Sequence, residues 1–497
     1  MKNLSKQQLR IVSLLAGIAL ALFFYFVNPF SVGHNASIVL SIAVLMITWW
    51  VTEALPMPVV ALMPLILLPL LKINDIKNVA PNYMDSVVFL FMGGFMLGLA
   101  IEKWNLHRRI ALGIVKLTGT SGNRIILGFI LATGFISMWI SNTATTMMMF
   151  PIALSVIHVM KEGGGEGNQK HFNLSLMLSI AYASNFGGIA TIVGTPPNVA
   201  FVGYFEKTYK TNVEFLDWML LCTPIALLLL FSLHFVLTRI LFPNHIRSNE
   251  AAKKFINEEF SRLGRISKPE VRVLSIFIVT ALFWIFKDPL NNILPVKLDD
   301  SLIAIMGAVA LFVFPAGKWN HPDNLNETDE HDFHGALLEW ADTKKMAWGI
   351  LLLFGGGLAL AAAMEKEGLI NNLGGWLSQF AAGGGILLLF MVTIISLFIS
   401  EVMSNIAQVI VFSPVVCSLA DSVGMNPLIL GLAMTLAASC ASMMPMGTPP
   451  NAIAFASGHI KIKQMMKAGF VMNLVAIVLI TLFCWFLLPL LMNVVKA

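Results

Sequence analysis

Apolar residues run in stretches of twenty or so along nearly the whole chain, parted by short polar connections. A membrane-spanning helix needs roughly 20 mainly apolar residues, and eleven stretches meet that length: 11–30, 37–54, 56–72, 86–105, 173–205, 216–241, 271–288, 300–316, 346–366, 427–457 and 469–492. Two more, 123–158 and 384–420, are longer and broken by polar residues, Ser141-Asn142-Thr143 and Ser404-Asn405. Each is two spans or a helical hairpin that enters and leaves on one face. Their halves read as short, so hairpins are expected, since irregular backbone at membrane depth is tolerated where it lines a cavity.

Composition points the same way. The 497 residues would suit about three soluble domains by length, yet 57% of them are apolar and 12% charged, with mean hydropathy +0.80. A soluble chain carries roughly 25% charge. A soluble enzyme, a nucleic-acid binder and a disordered protein are therefore excluded in favour of an all-α polytopic membrane protein. The net charge of +5 is too small for a nucleic-acid partner. The four cysteines, scattered through apolar stretches, suggest neither a disulfide framework nor a zinc site. The basic start, Met1 to Arg10, leads into Ile11–Val27 without a small-residue cleavage site before a polar domain, so it reads as a first spanning helix rather than a signal peptide.

Orientation follows from Lys and Arg in the connections. With the amino terminus cytoplasmic and both hairpins re-entrant, 24 of the 32 basic residues fall in 1–10, 103–124, 161–170, 239–272, 317–345 and 458–467, and 8 on the opposite side. This predicts the amino terminus inside and the carboxyl terminus outside.

The chain repeats itself. Phe89-Leu90-Phe91-Met92-Gly93-Gly94, running on to Glu102-Lys103, returns as Leu352-Leu353-Phe354-Gly355-Gly356-Gly357, running on to Glu365-Lys366. Gly93 to Gly356, Ser141-Asn142 to Ser404-Asn405, and Pro151 to Pro414 are each 263 positions apart. Gly194-Thr195-Pro196-Pro197-Asn198 recurs as Gly447-Thr448-Pro449-Pro450-Asn451, 253 positions on. The unit holds five spans, and an odd number inverts the second copy. The expected organisation is an amino-terminal helix (1–36), a first repeat (37–241), a cytoplasmic linker (242–270) and a second repeat (271–497). Inverted repeats with interrupted helices mark secondary transporters, whose site lies where the halves meet.

The interruptions carry the chemistry. Ser, Asn and Thr cap helix starts, and a half-helix amino terminus offers positive potential and free N–H groups to an anion. Carbonyls and Ser/Asn oxygens at such a break suit sodium. The same residues also glue helices together, but their duplication favours a site. The double prolines cannot continue a helix, so an unwound segment is expected before them. No Lys, Arg, His, Asp or Glu lies inside the four motifs. An anion there depends on helix ends, hydroxyls, amides and co-bound cations. Glu401, nearby, reads as a hydrogen-bonded buried acid in preference to a proton carrier. Glu53, Glu102 and Glu365 read as structural, within reach of Lys103 and Lys366.

The Gly-Gly stretch, Ser141-Asn142-Thr143, both Gly-Thr-Pro-Pro-Asn segments and Ala452-Ile453 resemble the divalent-anion/sodium symporter family over nearly the whole chain. The resemblance implies eleven spans plus two re-entrant hairpins, a homodimer, and a scaffold with a transport domain moving as an elevator. It implies di- or tricarboxylate substrates, commonly with sodium, and no other cofactor. Carried over, Ser141, Asn142, Thr143, Thr195, Pro196, Ser404, Asn405, Thr448 and Pro449 would contact substrate. Ser137, Ser141, Asn142 and the Gly194 carbonyl would hold one sodium; Ser400, Asn405 and the Gly447 carbonyl would hold a second. The second tip departs from the family pattern: Ile406 replaces a usual Thr, Met403 a small residue, and Gln408 follows.

The expected function is sodium-coupled import of C4–C5 dicarboxylates (succinate, malate, fumarate, 2-oxoglutarate) across the cytoplasmic membrane. The alternatives are a sodium-independent dicarboxylate exchanger, suggested by Met403 and Ile406, a citrate or sulfate transporter, and an anion channel. A channel pore lined by charge fits poorly with so few intramembrane charges. Enzyme motifs Gly-x-Ser-x-Gly and His-Glu-x-x-His are absent from the sequence, so no enzyme activity is expected.

Overall fold

A computed structural model describes residues 6–162, 168–246, 250–317, 335–379 and 385–495. Most of the 317–345 connection, the first five residues of the basic start, and Gly384 at the start of the second hairpin stretch lie outside these. So do the final two residues. All described elements are helical, apart from an isolated bridge between Pro315 and Ala336.

The first half comprises α1 (Lys6–Val27), α2 (His34–Val51), α3 (Met57–Val60), α4 (Met63–Leu70), α5 (Ile76–Val79), α6 (Ser86–Lys103), α7 (Leu106–Thr118), α8 (Gly122–Ser137), α9 (Asn142–Glu162), α10 (Gln169–Gly188), α11 (Pro196–Tyr209) and α12 (Phe215–Phe235). A connecting helix, α13 (Glu250–Arg262), precedes the second half. That half comprises α14 (Lys268–Ile285), α15 (Lys287–Ile293), α16 (Asp300–Val313), α17 (Trp348–Lys366), α18 (Leu369–Ser378), α19 (Gly385–Ser400), α20 (Asn405–Ser422), α21 (Pro427–Ser439), α22 (Pro449–Ala456), α23 (Ile462–Leu482) and α24 (Leu488–Val495).

Helix boundaries follow the sequence repeat. Helices α8 and α19 begin and end 263 positions apart, as do the starts of α9 and α20. Asn105 and Gly368, also 263 apart, both take left-handed backbone (φ 55° and 68°), where the chain turns out of α6 into α7 and out of α17 into α18. Gly adopts that conformation without steric cost, and Asn tolerates it better than most residues. Helices α12 and α23 match at both ends at an offset of 247, and each runs on into a π-helical turn, Val236–Leu241 and Phe483–Leu487.

By length and composition, eight described helical stretches are able to cross a membrane, or nine if α14 and α15, bent by 76°, form one span. They include α9 (21 residues) and α20 (18 residues). The second legs of the interrupted stretches are thus longer than the short halves expected from sequence, because α9 and α20 run on past the ends of the apolar stretches, to Glu162 and Ser422. Along α1, Leu15, Leu22, Phe23 and Phe26 are exposed, an apolar surface suited to lipid rather than water.

In each glycine run, one residue of the repeated Gly-Gly pair serves close packing between the halves. A Cβ on Gly93 of α6 would collide with the backbone of Ala304 in α16, and one on Gly356 of α17 with the backbone of Ala61, beside α3. Each half thus seats its glycine helix on the other half. Lys103, at the end of α6, pairs with Asp342 at 2.7 Å, an acid not anticipated as its partner, and Lys366 donates to the Ile73 carbonyl at 3.3 Å.

Candidate functional site

The two apolar stretches expected to be interrupted are broken at Met138–Ser141 and Glu401–Ser404. The two Gly-Thr-Pro-Pro-Asn stretches unwind over Ile189–Thr195 and Cys440–Thr448, and the prolines open the following helices α11 and α22. A proline in a first turn gives up an N–H that has no intrahelical partner, so the motif ends an unwound segment and restarts a helix.

Two asparagines hold these segments open. Asn198 Nδ2 donates to the carbonyls of Thr191 (2.8 Å), Gly188 (3.3 Å) and Ile189 (3.4 Å). Asn451 Nδ2 donates to the carbonyls of Ala441 and Met444, both at 3.2 Å. Ala441 and Met444 are the counterparts of Gly188 and Thr191 at the 253 offset. Both Oδ1 atoms are buried without a hydrogen-bond partner among the described residues.

At the first break, oxygens converge. A Cβ on Gly188 would fall on Asn142 Oδ1 and 3.2 Å from the Gly194 carbonyl oxygen. One on Gly194 would fall on the Gly188 carbonyl oxygen and 3.0 Å from those of Ser137 and Met138. Ser137 Oγ donates to Asn142 Oδ1 at 2.7 Å. Ser141 caps α9, its Oγ accepting from the Ala144 N–H at 3.3 Å, and Thr143 follows half-buried on the first turn. An all-oxygen set of carbonyls, amide and hydroxyl suits a hard cation.

At the second break, the Gly447 Cβ position lies 3.2 Å from Glu401 Oε2, 3.4 Å from the Met444 carbonyl oxygen and 3.5 Å from that of Ser400. Ser400 Oγ donates to the Ala438 carbonyl at 2.6 Å. Glu401 stands where the first half has Met138. Its Oε1 accepts the N–H groups of Ser442 and Met443 (both 2.8 Å) and Asn473 Nδ2 (2.6 Å), and its Oε2 accepts the Met444 N–H (2.9 Å). The carboxylate is buried and fully hydrogen-bonded within the protein.

The halves meet through Asn185, a residue sequence reasoning passed over. Asn142 Nδ2 donates to Asn185 Oδ1 at 3.3 Å, and Asn185 Nδ2 donates to Thr448 Oγ1 at 3.0 Å. Thr448 Oγ1 also accepts the Asn451 N–H at 3.4 Å, capping α22. The structure therefore brings together Ser137, Ser141, Asn142, Gly194 and Thr448, and separately Ser400 with Gly447. Ser404 and Asn405 open α20, half-buried, with the Ser404 carbonyl accepting the Gln408 N–H at 2.9 Å. No described hydrogen bond ties their side chains to the first cluster. Thr195 is buried, Pro196 half-buried and Pro449 exposed.

A cavity of about 250 Å³ lies elsewhere, between α7, α9 and α13, lined by His107, Arg108, Thr145, Met148, Phe255 and Glu259.

Residues 8–493 match the profile described as the sodium:sulfate symporter transmembrane region. The chain belongs to the divalent-anion/sodium symporter family. It is an integral membrane protein of a transporter family. Among its family relatives, the sodium-dependent dicarboxylate transporter SdcS of Staphylococcus saprophyticus is 36% identical over 468 residues, covering 93% of this chain and 88% of that protein. The SdcS of Staphylococcus aureus strain bovine RF122 is 36% identical over 475 residues, 94% and 89% of the two chains. The fold is also similar to that of Neisseria gonorrhoeae MtrF (TM-score 0.57, 13% identity, 94% of this chain and 97% of that one). The Alcanivorax borkumensis YdaH transporter is similar at the same score and identity, over 84% and 87%.

Proposed function

We propose that the protein is a secondary active transporter that imports C4–C5 dicarboxylates such as succinate, malate, fumarate and 2-oxoglutarate in symport with sodium. The observation that carries this reading is the all-oxygen cradle around Gly188 and Gly194, joined through Asn142 and Asn185 to Thr448. It offers a hard-cation site and an anion-facing hydroxyl in one hydrogen-bonded unit. The relatives named as sodium-dependent dicarboxylate transporters support the same substrate and ion.

The anion is held without a basic side chain in the motifs. The amino-terminal ends of α9 and α20 supply positive potential and free N–H groups, Thr448 supplies a hydroxyl donor, and sodium in the cradle offsets the remaining charge. The second sodium sits between the Ser400 and Gly447 carbonyls beside Glu401, with Asn405 completing the set. Thr143, Thr195, Pro196, Ser404 and Pro449 line the substrate space around these groups.

In this reading the halves, 37–241 and 271–497, are inverted repeats, preceded by the helix in 1–36 and joined by the cytoplasmic linker 242–270. Helices α8–α9 and α19–α20 are re-entrant hairpins of a transport domain that moves as an elevator against a scaffold. The protein is a homodimer in the cytoplasmic membrane, with the amino terminus inside and the carboxyl terminus outside.

Competition decides the substrate class. Uptake of labelled succinate into proteoliposomes in sodium is expected to be inhibited by malate, fumarate and 2-oxoglutarate, and not by equal citrate or sulfate. Stronger inhibition by citrate or sulfate overturns the dicarboxylate assignment. Met403, buried beside the second tip, favours one second reading, sodium-independent exchange, which requires dicarboxylate inside the vesicle before uptake begins.

A further inference from the structure

The hydrogen bonds between the first cation cradle and Thr448 all run in one direction. Ser137 O–H donates to Asn142 Oδ1, Asn142 Nδ2–H to Asn185 Oδ1, and Asn185 Nδ2–H to Thr448 Oγ1. Thr448 Oγ1 accepts from both Asn185 and the Asn451 N–H. Its own proton is donated to no protein group among the described residues, and remains for a ligand. Asn185, Thr448 and Ser137 are buried, with relative exposures of 1%, 2% and 0%, and Asn142 is half-buried, so the Asn185–Thr448 end of the chain is shielded from water.

We propose that Asn185 is a positioning residue that relays cation binding at the first cradle to anion binding at Thr448. This rests on the sodium-coupled dicarboxylate reading above. A cation drawn to Asn142 Oδ1 withdraws electron density from that amide and strengthens its Nδ2–H as a donor. The polarisation passes through the Asn185 amide to the Thr448 hydroxyl, because hydrogen bonds in a chain strengthen one another in a low-dielectric interior. Thr448 then becomes a better donor to a carboxylate. Two sites linked in this way share a coupling free energy, and an anion at Thr448 tightens the cation by the same factor.

The relay belongs to one half only. At the 253 offset the counterpart of Asn185 is Ala438, which has no side-chain amide and whose carbonyl instead accepts the Ser400 hydroxyl at 2.6 Å. The two cation sites are therefore unequal: the first is wired to the anion by side chains, and the second is not.

The test is succinate affinity of the purified full-length protein in sodium chloride and in choline chloride, for the wild type, Asn185→Ala and Asn185→Asp. The wild type is expected to bind succinate about tenfold or more tightly in sodium, within the usual range of linked sites. In Asn185→Ala that ratio should fall below about threefold, while affinity in choline and thermal stabilisation by sodium alone are retained. Asn185→Asp keeps the side-chain size and the acceptor for Asn142 but cannot donate to Thr448, whose hydroxyl turns back to the carboxylate. It should lose the ratio as well, and it serves as the test if the alanine variant does not fold. A variant ratio equal to a tenfold wild-type ratio overturns the relay alone. A wild-type affinity that sodium leaves unchanged overturns sodium coupling, and the relay with it.

Discussion

Asn473 of α23 donates its Nδ2 to Glu401 Oε1 at 2.6 Å, while its Oδ1 accepts the Ser442 N–H at 3.2 Å, so one asparagine and one buried carboxylate together fix the unwound backbone of Ser442–Met444. Removing Glu401 takes the acceptor from the Met443 and Met444 N–H groups and from Asn473, and removing Asn473 takes a donor from the buried carboxylate, at about 1–3 kcal/mol per unsatisfied group. Glu401→Gln and Asn473→Ala are each expected to lower the melting temperature of the purified protein by several degrees. The double variant should lose less than the two singles together, because both act on the same segment. Full additivity would show that the two residues act independently.

Packing at the glycine helices predicts a sharp positional effect. Gly356→Ala places a Cβ against the Ala61 backbone, and overpacking of this kind costs about 1–3 kcal/mol. Gly33→Ala meets nothing within 4 Å and should change stability by less than about 0.5 kcal/mol. Thermal unfolding of the two variants side by side checks the contrast. Equal stabilities would argue against the close approach of α17 to the backbone beside α3.

His107 in α7 gives a pH signature. Burial lowers its pKa from 6.5 to about 4, and Arg108 pushes in the same direction against the hydrogen bond to the Ile101 carbonyl. The folded state thus holds the neutral ring. Its contribution to stability is complete above about pH 6.5 and is lost as the pH falls toward 4, where the unfolded chain protonates first. Wild-type melting temperature is expected to drop over that window more steeply than that of His107→Gln. Parallel pH profiles would contradict the assignment.

Asn142→Ala removes the oxygen at the centre of the first cradle and the first link to Asn185. Asn405→Ala removes the matching amide at the second tip. Both variants should reach the membrane at wild-type levels and show transport reduced by tenfold or more, in line with the loss of a charge-assisted contact of about 1.5–3 kcal/mol. Normal uptake by both would show that the interrupted tips are not the site.

Much of this was legible in sequence because Gly, Pro, Ser and Asn stand out in apolar stretches, and because they occur twice in one register. The helix breaks at 138–141 and 401–404, and the prolines that restart α11 and α22, follow directly from that pattern. What Gly93 and Gly356 pack against was not legible, since Ala304 in α16 and Ala61 in the turn after α3 are distant in sequence and carry no signal of their own. Asn185 was missed for a related reason: its partner Thr448 lies 263 positions away, and its repeat counterpart is an alanine. Asn473 is a lone amide in a long apolar span, and its role depends on a carboxylate 72 positions earlier. Residues repeated in both halves show in the sequence, whereas unrepeated residues such as Asn185 and Asn473 show their partners only in the folded structure.

The central claim is sodium-coupled dicarboxylate transport, and the most direct measurement is labelled succinate accumulation in proteoliposomes that contain no dicarboxylate. With an inward sodium gradient, internal succinate should rise above the external concentration and then decay as the gradient dissipates. Uptake that sodium does not change, or that occurs only in vesicles preloaded with dicarboxylate, would contradict the account.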